Sequence, residues 1–331
     1  MLNRLSAAEW PRRFFKTWAQ AEGFGRPATH ERMLLDTIRC RKYQEAVEKA
    51  IRGGEVVIDL GAGTALLSCF AVRAGASRVY ALEMSRIADV AEEVIRANGF
   101  QDRITVVRGH SSKAKLPERA DLLVTETLSE AGFDNENIIE VVADARRRLL
   151  KPDARVIPQW CDTLFTPVET DALGLGALAP SLYGLDYAPL RQRRYGDGRP
   201  FMVMASGKPF AALAPAGRAF RVDLTRDTSP PGLGTVEFKV ERAGRLDAFL
   251  GWFETGLVEG VTLSNSPDLP PTSWNQLYFP VLPQPRLQIG QAVRLEVDPR
   301  YAGGGSHWHY RVLVDGRPVE QAFADAPGRP A

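Results

Sequence analysis

The chain has 331 residues and carries 42 Lys and Arg against 40 Asp and Glu, a formal net charge of +2. A balance so close to zero argues against a general polyanion binder, and 44% hydrophobic with 25% charged residues is the composition of a globular chain. Three cysteines, Cys40, Cys69 and Cys161, form no CxxC pair or Cys/His cluster, so no metal site is expected and a reducing cytoplasm is the simplest setting.

Residues 1–28 read as an N-terminal docking helix. Its Arg and Phe also leave a membrane-surface or targeting role open, but it has no secretory h-region and no apolar run approaches 18 residues. The next helix is expected from Thr29 or His30 to about Ile51, with Met33, Leu34, Ile38, Tyr43, Ala46, Val47 and Ile51 at helical spacing and Gly53–Gly54 as its stop. It runs straight into a strand, so its start should lie over a ligand pocket. There Arg39 would suit a bidentate grip on a carboxylate; the same spacing also suits a surface arginine.

The central stretch is VVIDLGAGTALLSCFAVRAGASRVYALE, residues 56–83. A short apolar strand closes at Asp59, Gly61 and Gly63 permit a sharp turn, residues 64–74 have helical length, and a second strand ends in Glu83. An acid about 20 residues after such glycines is placed to accept from ribose hydroxyls. Leu66 stands where a dinucleotide fingerprint needs its third small residue, and no GK[ST] is present. The pattern therefore favours a nucleoside ligand without a pyrophosphate, S-adenosylmethionine. A ligand-free βαβ crossover is the plainer alternative.

A helix over 86–98 and strands over 104–107 and 121–125 follow, then a helix over 138–150 and a strand near Val156. This is the alternation of a parallel α/β sheet. The loop after the third strand offers Ser111 or Ser112 to the adenine, with Ser112 preferred. From about 159 onward prolines, glycines and short apolar runs predict β-structure. The expected organisation is a nucleotide-binding Rossmann-like domain over 29–158 and a β-barrel domain over 159–331, interrupted by a helical arm at about 172–200.

The stretch TETLSEAGFDNENI, residues 125–138, brings Glu126, Glu130, Asp134 and Glu136 beside the expected cofactor. Buried carboxylates are costly unless a cation answers them. No histidine stands nearby to hold a metal, and a guanidinium can be gripped in a fork by two carboxylates at roughly 1.5–3 kcal/mol per charge-assisted bond. Glu126 and Glu136 are the favoured pair; a solvated acidic loop is the alternative.

With these residues in hand, the chain resembles the protein arginine methyltransferase family over about residues 30–323. The likeness rests on HERMLLDTIRCRKYQEAV, the glycine motif, the acidic loop, LLKPDARVIPQ, YGLDYAPLRQR and LSNSPDLPPTSWNQLYF. The resemblance implies a class I methyltransferase that uses S-adenosyl-L-methionine and releases S-adenosyl-L-homocysteine. The acceptor would be the guanidinium of an arginine-containing protein, a peptide or free arginine. It implies a homodimer joined through the arm, with neither nucleic acid nor membrane as partner. Position by position, it implies Arg39 on the cofactor carboxylate, Asp59, Gly61 and Gly63 along its methionine and ribose side, and Glu83 on the ribose. Glu126 and Glu136 would form the guanidinium clamp, with Met33 and Trp274 in the acceptor pocket. The chain departs from the family in a glutamate spacing of ten rather than nine, in Ser273 where a histidine is usual, and in the aromatic pattern before His30. A methyltransferase for another small-molecule nucleophile and a catalytically silent cofactor-binding or dimerisation module are the other readings.

Overall fold

The computed structural model describes residues 23–134, 137–178, 181–196, 198–301 and 306–319. The expected N-terminal helix and Glu136 lie outside them, apart from the segment from Gly23 onward. Strands β1 (Val56–Leu60), β2 (Arg78–Glu83), β3 (Ile104–Arg108), β4 (Ala120–Thr125) and β5 (Leu150–Ile157) form a parallel sheet in the order β3-β2-β1-β4-β5. β1 is buried at all five positions. That explains why its sequence is an unbroken apolar run rather than an alternating one.

The chain fills one side of β1 with β2 and β3, then crosses to place β4 and β5 on the other side. The order thus reverses between β1 and β4, and ligands of open α/β sheets bind outside the carboxyl ends of strands at such a point. The glycine turn leaves β1 there, Glu83 ends β2 there, and Glu126 follows β4 there.

Helices α1 (Pro27–Leu35) and α2 (Thr37–Ala50) precede the sheet. The sequence periodicity predicts one continuous helix, and the structure divides it at Asp36. With φ −73° and ψ 86°, Asp36 leaves the helical region, and its side chain accepts the Arg39 backbone N–H at 3.0 Å. A short polar side chain that caps the following turn competes with the helix passing through it. Helices α3 (Leu66–Ala74), α4 (Ala88–Ala97) and α5 (Ile138–Arg148) join the strands.

Beyond β5 the chain is antiparallel β-structure. A seven-stranded sheet runs Ala211–Ala212, Trp160–Glu169, Ala248–Val258, Gln276–Pro280, Phe201–Val203, with Gly217–Asp223 and Val261–Ser264 paired off this path. A four-stranded sheet is built on Gly234–Lys239, Ala292–Tyr301, Ser306–Val314 and Arg317–Pro318. Phe133, Phe220, Phe279 and Trp308 meet edge-on or tilted between these parts, with ring centroids 5.6–6.4 Å apart. Such pairs add to the burial of their rings. Between Trp160–Glu169 and Phe201–Val203 lie a short helix, a hairpin of Ser181–Leu182 with Leu185–Asp186, and the helix Ala188–Tyr195. No described helix is long and apolar enough to cross a membrane.

Candidate active site

A cavity of about 310 Å³ opens at the carboxyl ends of β1, β2 and β4. That is within the range of small-molecule sites, roughly 300–1,000 Å³. Its floor is the glycine turn. Gly61 and Gly63 have φ of +75° and +54°, and a Cβ on either would stand 2.9 Å from Thr127 Cγ2 or His30 Cε1 respectively. Both positions therefore need glycine for conformation and for space.

Glu83 lines the cavity and is 8% exposed. Its two oxygens accept the backbone N–H groups of Gly63 at 2.9 Å and Ser85 at 2.7 Å. Each oxygen keeps a further lone pair, so the carboxylate is fixed and still able to accept from two neighbouring hydroxyls. That donor–acceptor match, beside bare glycine backbone, fits the ribose of S-adenosylmethionine.

Arg39 and Glu126 form the polar centre. The Arg39 Nε donates to Glu126 Oε2 at 2.6 Å, a second guanidinium nitrogen pairs with the same oxygen, and Nη1 donates to Met33 O at 2.9 Å. The side chains are 13% and 7% exposed. Burial opposes the Arg39 charge, and Glu126 more than offsets it, so its pKa is raised. Burial pushes the Glu126 carboxyl up, and Arg39 pulls it part of the way back. Glu126 Oε1 has only a long 3.4 Å bond from the Leu128 N–H. Among the described residues, this leaves an under-satisfied carboxylate oxygen in the cavity wall, where a second cation would be welcome.

The antiparallel part closes the cavity through one short segment. Asp36 Oδ2 accepts the Ser273 backbone N–H at 2.6 Å, and Trp274 Nε1 donates to Leu128 O at 3.0 Å. The Arg39 guanidinium carbon lies 5.9 Å from the centre of the Trp274 ring, within cation–π range. Asp36 thus caps α2 and holds the Trp274 segment at once.

The acidic loop divides its carboxylates. Glu126 and Glu130 line the cavity. Asp134 is turned into the protein, where it receives Ser129 Oγ and, at 3.0 Å, Trp308 Nε1. The crossing between these roles is Gly132, with φ +93° and no room for a Cβ against Cys161 Sγ. The Glu130 carboxyl is raised, by burial first and by the nearby Asp134, against its own backbone N–H and the Arg32 charge.

Of the residues singled out from the sequence, Met33, Arg39, Gly61, Gly63, Glu83, Ser111, Glu126, Glu130 and Trp274 line this one cavity, and Glu136 lies outside the described residues. Besides Asp134, two described ones do not line it. Asp59 lies beneath the turn, fully buried, and accepts the Ser68 N–H at 2.9 Å and Ser68 Oγ at 2.7 Å. It therefore anchors the start of α3 rather than lining the ligand space. Ser112 is bonded to His110, with 2.8 Å between its Oγ and Nδ1, while His110 and Ser111 provide the lining. Asp36, His30 and Tyr43 were not legible as site residues; Tyr43 donates to Thr125 O at 3.0 Å and so steadies the end of β4. Asp36 carried a usable signal, a capping residue inside a helical pattern. Among the described residues no group of three His, Cys, Asp or Glu could hold a metal ion.

A family model for ribosomal protein L11 methyltransferase matches residues 40–158. An arginine N(omega)-methyltransferase from Streptomyces achromogenes subsp. streptozoticus is 32% identical over 277 residues, covering 82% of this chain and 76% of the relative. Protein arginine N-methyltransferase 6 of Xenopus laevis is 30% identical over 286 residues, covering 83% and 82%. The chain belongs to the arginine N-methyltransferase family. Two solved structures share the fold of this arginine N-methyltransferase family member. The Trypanosoma brucei PRMT1 enzyme–prozyme heterotetrameric complex with AdoHcy gives a TM-score of 0.77 at 22% identity, over 88% of this chain and 94% of that one. The protein arginine methyltransferase 10 of Arabidopsis thaliana gives 0.72 at 19% identity, over 88% and 99%.

Proposed function

We propose that the chain is an S-adenosylmethionine-dependent arginine N-methyltransferase whose acceptor guanidinium is held by Glu126. The observation that carries this reading is the Glu126 carboxylate, buried at the switch point of the sheet with Arg39 on one oxygen and no strong partner on the other. When bound, S-adenosylmethionine supplies a sulfonium methyl group: the carbon–sulfur bond breaks with its electron pair left on sulfur, a carbon–nitrogen bond forms, and one guanidinium proton is released.

The chain's own residues position and polarise. Glu83 accepts from the ribose, and Gly61 and Gly63 let the cofactor approach bare backbone. Arg39, already paired with Glu126, would also hold the cofactor carboxylate, so that the two reactants would share one anchor. Glu126 Oε1 accepts an N–H of the acceptor guanidinium, concentrating positive charge on the nitrogens it holds and leaving the attacking nitrogen its lone pair. Holding reactants in line is the larger part of such catalysis, and a carboxylate fixed beside developing cationic charge adds electrostatic stabilisation. Glu136 is the proposed second arm of the clamp. Met33 and Trp274 shape the acceptor space.

We also propose that the two antiparallel sheets close as a β-barrel and that the segment at about 172–200 is a dimerisation arm. Several of its apolar side chains are exposed, Tyr183 at 94% and Leu185 at 59% among them, which suits burial against a second copy.

The test is mass spectrometry of reactions with methyl-labelled S-adenosylmethionine, with free L-arginine and an arginine-rich peptide as parallel acceptors. Label on either guanidinium supports the reading. Cofactor binding without transfer to any guanidine overturns it.

A further inference from the structure

The charged side chains lining the cavity fall into two sets. Arg39 and Glu126 are paired with each other, and Glu83 is committed to two backbone N–H groups. The remaining two are Arg32 on α1 and Glu130 in the loop after β4. Among the described residues neither is in an ion pair, yet they act on each other: burial raises the Glu130 carboxyl, and the Arg32 charge is among the groups that lower it. Glu130 also sits on a fixed support. Its own carbonyl accepts Asn265 Nδ2 at 3.2 Å, and the next carbonyl, Ala131 O, accepts Thr163 Oγ1 at 2.7 Å. The backbone that carries this side chain is thus held in place by the antiparallel sheet.

A cation on α1 and an anion in the loop after β4, both lining one pocket, the first exposed and the second half-buried, match a ligand that carries both charges. An arginine residue within a polypeptide carries neither at its α-carbon, because its nitrogen and carbonyl are amides. Seating it would leave the half-buried Glu130 carboxylate without a matching cation, an unfavourable arrangement. Free arginine carries an ammonium and a carboxylate on that carbon.

We propose that Glu130 and Arg32 read the α-ammonium and α-carboxylate of a small zwitterionic acceptor, so that free arginine, not an arginine residue in a protein, is the substrate. This rests on the arginine N-methyltransferase reading above and assigns these two residues a specificity role in it. A site built to pair with a charged group rejects an analogue that lacks the group, because its own polar atoms are then left unmatched.

The experiment compares four acceptors with the full chain and labelled S-adenosylmethionine: L-arginine, agmatine (no carboxylate), Nα-acetyl-L-arginine (no ammonium) and an arginine-rich peptide. The wild type should favour L-arginine in kcat/KM over agmatine and Nα-acetyl-L-arginine by roughly 10- to 100-fold, the factor that loss of one charge-assisted bond gives, and over the peptide, which lacks both groups, by at least as much. Glu130→Gln should erase the preference over Nα-acetyl-L-arginine and keep the preference over agmatine. Arg32→Met should do the reverse. Calorimetry should find cofactor affinity unchanged in both variants.

Peptide methylated as efficiently as L-arginine by the wild type would overturn the proposal while leaving guanidine methylation intact, and this comparison needs no variant to fold. A fall in cofactor affinity matching the loss for acceptor would also overturn it, since the two residues would then be reading the methionine end of the cofactor. Bound cofactor with none of the four acceptors labelled would instead remove the underlying activity, and the proposal with it.

Discussion

Glu126→Gln separates two tasks of one carboxylate. Glu126 is the charged partner in contact with Arg39, whose side chain is 13% exposed. Removing one member of a buried ion pair costs ~3–5 kcal/mol because the other charge is left unanswered. The Gln amide still accepts an N–H, and Met33 O still accepts another at 2.9 Å, so the low end, about 3 kcal/mol, applies. Unfolding entropy of roughly 2.1 cal/mol/K per residue gives about 0.7 kcal/mol/K for 331 residues unfolding as one unit. The cofactor-free variant should therefore melt about 4 °C below the wild type. Saturating cofactor should narrow that gap, because its carboxylate supplies the charge that Arg39 has lost; a ligand at 100 times its Kd stabilises by about 2.7 kcal/mol, and tighter binding to the variant adds to that. Turnover should fall roughly 10²–10³-fold, the scale of removing one electrostatic stabiliser. Thermal melts with and without cofactor, paired with mass-spectrometric counting of S-adenosylhomocysteine, read both effects. Unchanged turnover would refute the acceptor role of Glu126. An equal melting gap with and without cofactor would refute the shared anchor at Arg39.

Other residues make separate demands. Burial pushes the Asp59 carboxyl from an ordinary 3.8 up to about 7, against the hydrogen bonds from Ser68. Between about pH 4 and 7 the folded state keeps a proton that the unfolded state has lost, so this group's contribution is full at low pH and declines by about 4 kcal/mol as pH rises through that window. Asp59→Asn keeps an acceptor for Ser68 and has no such proton, so its stability curve should be flatter there; parallel curves for the two proteins would sink the assignment. Gly132→Ala forces a side chain into φ +93° against Cys161, and should destabilise by about 3 kcal/mol through strain and overpacking while cofactor affinity holds; a melt identical to wild type would show that the loop can give way. Trp274→Phe strands Leu128 O without its 3.0 Å donor, and should cost about 1–2 kcal/mol with a rise in acceptor KM, checked by steady-state kinetics and a denaturant titration.

The legible parts of this protein are those whose causes lie close together in the chain. The apolar run of β1, the positive-φ glycines after it and the acid that ends β2 are local requirements of one βαβ unit, and each appears in the structure at the expected place. Asp59 belongs to the same unit, and the sequence shows that an acid closes the strand but not which side of the turn it faces; in the structure it bonds Ser68 and does not line the cavity. The Asp36 bond to Ser273 joins residues 237 apart, and no periodicity reports a contact at that separation.

The acidic loop makes the same point in one segment. Four carboxylates in eleven residues look interchangeable as a pattern, and the sequence alone favours Glu126 and Glu136 among them. In the fold the three described ones are sorted by what stands opposite. Arg39 arrives from α2 to meet Glu126, the Trp308 indole arrives from 174 residues away to take Asp134, and Glu130 is left facing the cavity. The loop's chemistry is therefore set by its supports. Gly132 and the Ser129–Asp134 contact turn one half inward, and that turn keeps Glu130 on the same wall as Glu126. If this is the organising constraint, moving Asp134 should alter acceptor selection through Glu130 before it alters cofactor binding. Asp134→Asn, which keeps the contact with Ser129 but weakens the pull on the Trp308 N–H, should raise the KM for L-arginine with cofactor affinity unchanged.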